Sequence, residues 1–216
     1  MNTQVCRKSL QILTAAVCLA DIAARGQTTV YGPGAIPTPL IIDHPGDYRF
    51  VSGTEVRSTD VTLTVDSSYP LGRAGGGFAM AFLTGDLDFE GGLYEGATVS
   101  SPTNLNRAGG GAAIVNSDPY GFNMEVTDGV FRGGSVFVPD PALPGGIYAG
   151  GPAISTSERN LKRITVYDGL FEGGIVAAND APDVPISRAP SIRLGAGEGN
   201  RSGRAILDVF GGEFVG

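Results

Sequence analysis

The chain repeats one short unit four times, and this repetition limits the possible folds more than any other feature. Each copy carries two alternating apolar residues, a turn pair ending in glycine, an aromatic residue two positions later and a further glycine. The aligned turn glycines are Gly92, Gly129, Gly169 and Gly212, which lie 37, 40 and 43 residues apart. Repeats of this period predict a stacked architecture in which each unit contacts mainly its neighbours.

The alternation within each unit predicts a β-strand with one buried face. The inward positions form two columns: Leu87, Met124, Ile164 and Leu207, and Phe89, Val126, Val166 and Val209. The turn pairs are Gly-Gly or Asp-Gly, which accept the positive φ of a sharp bend. Asp-Gly between apolar alternations also suits a hairpin, but isolated hairpins do not explain why the whole unit recurs.

A second signature precedes each of these strands, and it consists of a glycine run followed by a short apolar segment. The runs begin at Ala74, Ala108 and Ala149, and we assign residues 194–197 as a shortened fourth copy. One period therefore holds about three short strands separated by glycine corners. This is the plan of a parallel β-helix, an all-β solenoid in which each strand pairs with its equivalent one coil along.

Stacking in register places equivalent side chains in ladders about 4.8 Å apart. We expect Tyr94, Phe131, Phe171 and Phe214 to form one aromatic ladder in the interior. A neighbouring column holds Glu95, Arg132 and Glu172, whose alternating signs favour ion pairs between coils. Three unrelated surface charges are the alternative interpretation of that column.

We divide the chain into a signal peptide at 1–26, an N-terminal capping segment at 27–72 and solenoid repeats at 73–216. The first part has basic residues near its start, an apolar stretch from Leu10 to Leu19 and small residues up to Gly26. This pattern predicts export and cleavage near Gly26, and the apolar stretch is too short to span a membrane comfortably. The capping segment is rich in proline and glycine, and Val61–Val65 within it should start the first coil.

Composition excludes several classes of function. Removing the signal peptide takes away Arg7, Lys8, Arg25 and Asp21, which leaves 12 basic and 21 acidic residues and a formal charge of −9. That charge disfavours nucleic acid and anionic membrane surfaces as partners, and we predict no membrane span after signal removal. Both cysteines lie within residues 1–26, so the mature chain should have no disulfide and no thiolate metal site.

Few residues suggest chemistry. His44 is the single histidine and lies beside a Pro-Gly pair, which indicates a surface loop. Asp128 and Asp168 share one column, as a Ca²⁺ site or an acid/base pair on a sugar would require, but aspartate before glycine is explained by the turn alone. We therefore assign no catalytic, cofactor-binding or metal-binding residue, and expect no cofactor.

The repeated apolar pair, glycine turn, aromatic and glycine at 73–216 resemble those of exported bacterial right-handed parallel β-helix proteins. That group includes pectate-lyase-like enzymes and the passenger stalks of autotransporters and adhesins. The resemblance implies a right-handed β-helix of about four coils with an irregular N-terminal cap. The catalytic motifs of the enzyme members are absent, so no residue role is carried over to this sequence.

We prefer a secreted or cell-surface, non-catalytic solenoid that acts as a stalk, an adhesin or a scaffold contacting polysaccharide or cell-surface components. The alternative is a polysaccharide lyase or glycoside hydrolase of β-helix type, or a fragment of one. Three or more Asp, Glu or Arg side chains on one strand face would favour the enzyme, and an uncharged, glycine-lined face would favour the scaffold. The variable segments 135–148 and 175–191 are expected to be loops, where solenoids often carry binding sites.

The last repeat stops at Gly216, whereas its counterparts continue with further apolar residues. An uncapped coil presents unpaired backbone groups that attract other strands. We therefore expect either that the solenoid continues in a longer protein or that its end is covered by another chain, including another copy.

Overall fold

The structure, a computed structural model, describes residues 28–66, 69–82, 85–101, 105–116, 122–139, 146–156, 162–195 and 205–216. The predicted signal peptide and its cleavage site, residues 1–26, lie outside the described residues. All regular structure in the described ranges is β-strand. Across these ranges, no helix has the length and apolar character needed to cross a membrane.

Twenty-three short strands make up the described fold. In chain order they are β1 (Thr28–Tyr31), β2 (Gly34–Ala35), β3 (Leu40–Ile42), β4 (Asp47–Phe50), β5 (Thr54–Arg57), β6 (Val61–Asp66), β7 (Tyr69–Gly76), β8 (Met80–Phe82), β9 (Gly85–Glu95), β10 (Val99–Ser100), β11 (Arg107–Gly109), β12 (Ile114–Asn116), β13 (Phe122–Arg132), β14 (Val136–Val138), β15 (Ile147–Ala149), β16 (Ile154–Thr156), β17 (Lys162–Val166), β18 (Leu170–Glu172), β19 (Ile175–Ala178), β20 (Ala181–Arg188), β21 (Ile192–Leu194), β22 (Ala205–Val209) and β23 (Glu213–Val215).

These strands form a β-solenoid of about four turns with four sheets. Sheet A has the order β1-β4-β9-β13-β17-β22, with β2, β5, β18 and β23 completing its second half. Sheet B has the order β21-β16-β12-β8-β3, sheet C β15-β11-β7-β6, and sheet D β10-β14-β19-β20. One coil passes through sheets C, B, A and D in turn, and pairing between coils is parallel. The predicted all-β solenoid fold is confirmed.

The predicted side-chain columns are also confirmed by the strand register. Leu87, Met124, Ile164 and Leu207 are successive partners in sheet A, as are Phe89, Val126, Val166 and Val209. Alternation along each strand buries these side chains against sheet B, because successive residues point to opposite faces. The last member of each column is partly exposed, with Leu207 at 39% and Val209 at 48%.

The aromatic ladder forms as the repeat spacing predicts. Centroids of Tyr94 and Phe131, of Phe131 and Phe171, and of Phe171 and Phe214 are each 4.9 Å apart, with ring planes within 8° of parallel. The Tyr94 hydroxyl donates a hydrogen bond to the Gly91 carbonyl at 3.2 Å, and burial raises the pKa of this phenol well above its ordinary value. Tyr94 therefore stays neutral, and its polar end is satisfied inside the core.

A second aromatic ladder, which the sequence analysis missed, lies within the N-terminal segment. Tyr31 stacks on Phe50 at 4.9 Å, and Phe50 stacks on Phe89 at 4.7 Å. Strands β1, β4 and β5 pair in parallel with sheet A and thereby place these rings below the first full coil. This segment thus contains more regular structure than its proline and glycine content indicates.

The interior is divided into two separate apolar cores. One lies between sheets A and B and contains the aromatic ladders together with Met80, Ile114 and Ile154. The smaller core lies between sheets C and D and is built around Val99, Leu105 and Val136, among others. The boundary between them is the place where the corner joining sheets C and B meets the corner joining sheets A and D.

Glycines fill this boundary, which we call the glycine seam. Backbone hydrogen bonds of 2.7–2.9 Å cross from one corner to the other and climb the solenoid. Their successive members are Gly77, Ala97, Gly111, Gly134, Gly151, Gly174 and Ala189, each amide donating to the carbonyl of the member before it. The buried polar groups of the corners are satisfied in this way without side chains.

Three details of the sequence interpretation are wrong. Val61–Val65 lies in β6, which pairs antiparallel with β7 at the edge of sheet C and does not start a parallel coil. Residues 175–188 are not a loop, because β19 and β20 form an antiparallel pair in sheet D. The fourth glycine corner is not at 194–197, since the Ala189 amide takes that place in the seam and Leu194 pairs with Thr156 in sheet B.

The alternating charge column on sheet A forms ion pairs between coils. An Arg132 guanidinium nitrogen lies 3.3 Å from a Glu95 oxygen, and Arg132 also contacts Glu172. The structure extends this column by one member, because Arg57 lies 3.5 Å from the other Glu95 oxygen. These contacts and the hydrogen bonds to both glutamates raise the pKa of Arg132.

Arg132→Gln should lower the free energy of unfolding only modestly, by about 0–1 kcal/mol for each exposed ion pair lost. The loss should shrink in about 1 M salt, where the Debye length is about 3 Å. Urea denaturation at low and high salt measures both effects. Arg188→Gln is the control, because Arg188 is exposed on β20 outside the column. Equal losses in the two variants would contradict a role for the column in register.

Candidate functional site

A groove with a volume of about 970 Å³ runs along the outer face of sheet A among the described residues. Residues of strands β1, β4, β9, β13 and β17 line it, together with Phe210 directly after β22, so the groove follows the stacking direction of the solenoid. It is open to solvent along its length. Such a surface suits an extended polymer better than a small molecule, which is usually enclosed by its pocket.

Strand alternation determines which side chains face the groove. Inward residues of β9 and β13 belong to the core, so the intervening residues point outward. In β9 these outward residues are Asp86, Asp88 and Glu90, and in β13 they are Asn123 and Glu125. Register then places Asp88 beside Arg49 on β4 and beside Glu125 on β13.

Polar contacts between coils fix several of these groups. Arg49 Nε donates to Glu90 Oε1 at 2.7 Å, and Asn123 Nδ2 donates to Asp86 Oδ1 at 2.8 Å. At the far end of the groove the Arg163 guanidinium binds Asp208 Oδ2 through two nitrogens, at 3.0 and 2.8 Å. Both guanidiniums that line the groove are therefore already engaged by carboxylates of the same face.

Asp88 has a perturbed carboxyl group. Partial burial raises its pKa above the ordinary value, the negative charge of Glu90 raises it further, and Arg49 opposes the change. Its register partner Glu125 is exposed. Two carboxylates on adjacent strands, one of them with a raised pKa, form an arrangement that can donate and accept protons.

An exposed aromatic pair lies at the same end of the groove as Arg163. The rings of Tyr167 and Phe210 stack with centroids 5.3 Å apart, and the two residues are 46% and 72% exposed. The Tyr167 amide donates a hydrogen bond to the Val126 carbonyl, and the Phe210 amide donates one to the Val166 carbonyl. These bonds hold both residues in the sheet A ladder, each directly after an inward strand residue. Exposed flat rings next to polar groups are typical of surfaces that bind sugars or proteins, since the ring offers an apolar face with little entropy to lose.

The residues weighed from sequence lie outside this groove. His44 is largely exposed and contacts the Asp43 carboxylate. Asp128 and Asp168 each accept a hydrogen bond from the amide of the following glycine, at 2.7 and 2.8 Å. These contacts support the turn interpretation of both aspartates. Within the ranges that the structure describes, no three His, Cys, Asp or Glu side chains are grouped in a way that could hold a metal ion.

Sequence reasoning missed the groove residues, although a signal was present. Asp86, Asp88 and Glu90 alternate with the apolar positions of the first repeat, and this alternation places all three on one face of the strand. The criterion of three acidic or basic side chains on one strand face is met here and favours an enzyme, but Asn123 and Arg49 already engage Asp86 and Glu90. Arg49 and Phe210 gave no such signal, because they come from the capping segment and from the end of the last repeat.

Comparisons of the chain with protein-family models, with curated proteins and with solved structures found no match. Function must therefore be argued from the fold and the groove themselves.

Proposed function

We propose that this protein is an extracellular β-solenoid whose outer sheet A face binds polysaccharide chains, as a stalk, adhesin or scaffold does. The observation that carries the proposal is the open groove of about 970 Å³ with a stacked, exposed aromatic pair at one end and hydrogen-bonding side chains along the rest. A sugar ring has an apolar face and polar edges, and this groove offers partners for both.

The dimensions of the groove support an extended ligand. Successive strands of sheet A lie about 4.8 Å apart, and the groove crosses five of them and reaches Phe210 after β22. A bound glycan of several residues can therefore lie along the stacking axis and meet one coil after another. Repeated weak contacts of this kind give useful affinity when a polymer engages several at once.

Phe210→Ala tests the proposal. Losing one exposed ring should weaken glycan binding about 3- to 10-fold, because an aromatic contact contributes about 0.5–1.5 kcal/mol. Isothermal titration calorimetry with neutral, amino and acidic oligosaccharides of at least six sugar residues measures the affinities. Ile186→Ala is the matched control, since Ile186 is 64% exposed on β20 in sheet D, far from the groove in the fold.

The result for the two variants decides the proposal. A binding loss confined to Phe210→Ala supports the groove as the contact surface. Absence of binding to every oligosaccharide by the unmodified chain, or an equal loss in Ile186→Ala, overturns it.

A second candidate function, cleavage of the bound polysaccharide, is favoured by the carboxylate pair of Asp88 and Glu125. A glycoside hydrolase needs one protonated and one ionised carboxyl group across the scissile bond, and the raised pKa of Asp88 suits the protonated member. The calorimetry samples also test this candidate, because cleavage releases new reducing or unsaturated ends. Products that disappear in Asp88→Asn would support an enzyme, and intact oligosaccharides after long incubation would exclude cleavage of those substrates.

A further inference from the structure

Charge along the sheet A groove indicates which polysaccharides it accepts. Five carboxylates and two guanidiniums line it. The carboxylates are Asp47, Asp86, Asp88, Glu90 and Glu125, and the guanidiniums are Arg49 and Arg163. The groove is therefore negative as a whole, in keeping with the acidic chain, whose formal charge is −7.

The two guanidiniums are poor anchors for an acidic ligand. Arg49 is held by Glu90, and Arg163 is bound twice by Asp208. A uronic acid carboxylate would have to replace one of these carboxylates, and it would approach through the field of the others. Replacement of one ion pair by another gains little, while the repulsion from neighbouring carboxylates remains.

The middle of the groove favours a cationic ligand. Asp88 and Glu125 are direct register partners on β9 and β13, with Glu90 two residues further along β9. Glu125 forms no ion pair with any residue in the described ranges, and its side chain is exposed. A cation placed between Asp88 and Glu125 would relieve the repulsion between them and form charge-assisted hydrogen bonds.

We propose that the sheet A groove selects glycans that carry protonated amino groups over neutral glycans and over glycans rich in uronic acid. This inference rests on the proposed polysaccharide binding. The amino group would lie against Asp88 and Glu125, while the apolar face of another sugar residue packs on Phe210 and Tyr167. The carboxylates thus supply selectivity, and the aromatic pair supplies affinity that is independent of ligand charge.

Three β-1,4-linked oligosaccharides of equal length serve as probes, namely glucosamine, glucose and glucuronic acid oligomers. Calorimetry at low ionic strength and at a pH where the amines are protonated should show the glucosamine oligomer binding about 10-fold or more tightly than the glucose oligomer. The glucuronic acid oligomer should bind most weakly. The preference should decline with added salt, because salt weakens the attraction between exposed charges and shortens the Debye length to about 10 Å at 0.1 M.

Glu125→Gln is the decisive variant. It should lower the affinity for the glucosamine oligomer much more than the affinity for the glucose oligomer, and so remove most of the preference. Asp180→Asn is the control, because Asp180 is exposed in the turn between β19 and β20 and lies outside the groove. That variant should keep the full preference and show that a general reduction in negative charge is not the cause.

The outcomes separate this inference from the proposed function. Equal binding of the three oligomers, or tighter binding of the acidic one, overturns the charge selection and leaves polysaccharide binding intact. A preference that Asp180→Asn reduces as much as Glu125→Gln overturns the assignment to the groove. If none of the three oligomers binds, both the selection and the proposed function fail.

Discussion

Replacing Phe171 with alanine is expected to lower the free energy of unfolding by about 3–5 kcal/mol, the usual cost of removing a buried aromatic side chain. Phe171 is fully buried and stacks on Phe131 and Phe214, each at a centroid distance of 4.9 Å. The variant therefore loses the transfer free energy of the ring and two stacking contacts, and it leaves a cavity that parallel backbones on both sides cannot close. Urea denaturation followed by circular dichroism measures the loss.

The end of the same ladder provides the control. Phe214 stacks on one neighbour in this structure and is 38% exposed. Phe214→Ala should cost clearly less, about 1–2 kcal/mol, because less apolar surface returns to water. A loss below about 1 kcal/mol for Phe171→Ala, or a larger loss for Phe214→Ala, would contradict an interior ladder that gains stability from stacking.

Most of sheet A was predictable because its determinants are local and periodic. The spacing of the aligned glycines fixes which residues share a rung, and alternation of polarity fixes which side of the strand is buried. Together these two patterns predict the ladder through Tyr94, Phe131 and Phe171 and the charge column through Glu95 and Arg132, and the structure confirms both. In such a fold long-range contacts recur at a fixed sequence period, so a comparison of the sequence with itself detects them.

The N-terminal turn was harder to predict because it breaks the period. Tyr31 and Phe50 are stacked neighbours in the ladder but lie only 19 residues apart in the chain, about half the usual repeat. Strand β6 then runs antiparallel to β7, with Leu63 paired to Ala74. An alternating strand looks the same in sequence whether its partner is parallel or antiparallel, since alternation reports only which face is buried.

The candidate site was predictable only in part. Three acidic residues of the groove follow from the alternation in β9, but their neighbours come from other coils and are brought together by register. Arg49 reaches Glu90 across 41 positions of the sequence, and Phe210 stacks on Tyr167 across 43. Outward side chains are not constrained by packing in the core, so apart from the charge column they carry little periodic signal even where they share a surface.

The division of the interior explains why glycines occupy the corners of the coils. Two corners of every coil approach each other at the glycine seam, and backbone hydrogen bonds such as that from the Gly134 amide to the Gly111 carbonyl, at 2.7 Å, join them. Sequence analysis predicted glycine corners, but it did not predict that corners from opposite sides of the coil meet. That proximity depends on the cross-section of the whole solenoid.

The glycine seam can be tested by substitution, because a Cβ at Gly134 has far less space than a Cβ at Gly109. Gly134→Ala is expected to lower the free energy of unfolding by about 3–5 kcal/mol, the combined cost of backbone displacement in a tightly packed interior and of weakened seam hydrogen bonds. A Cβ at Gly134 would lie 1.9 Å from the Ala97 carbonyl oxygen and 2.5 Å from its carbon, and neither atom belongs to a side chain that can rotate away.

Gly109→Ala is the matched control, since the nearest atom to its Cβ, the Ala149 carbonyl oxygen, is 4.0 Å away. That variant should be neutral or up to about 1 kcal/mol more stable, because alanine restricts the unfolded chain more than glycine does. Urea denaturation of the two variants, together with amide exchange at Gly151 and Gly174, measures the effect on the seam. Similar stability of the two variants, with unchanged exchange in Gly134→Ala, would show that the corners can separate without cost and that the seam does not hold the two cores together.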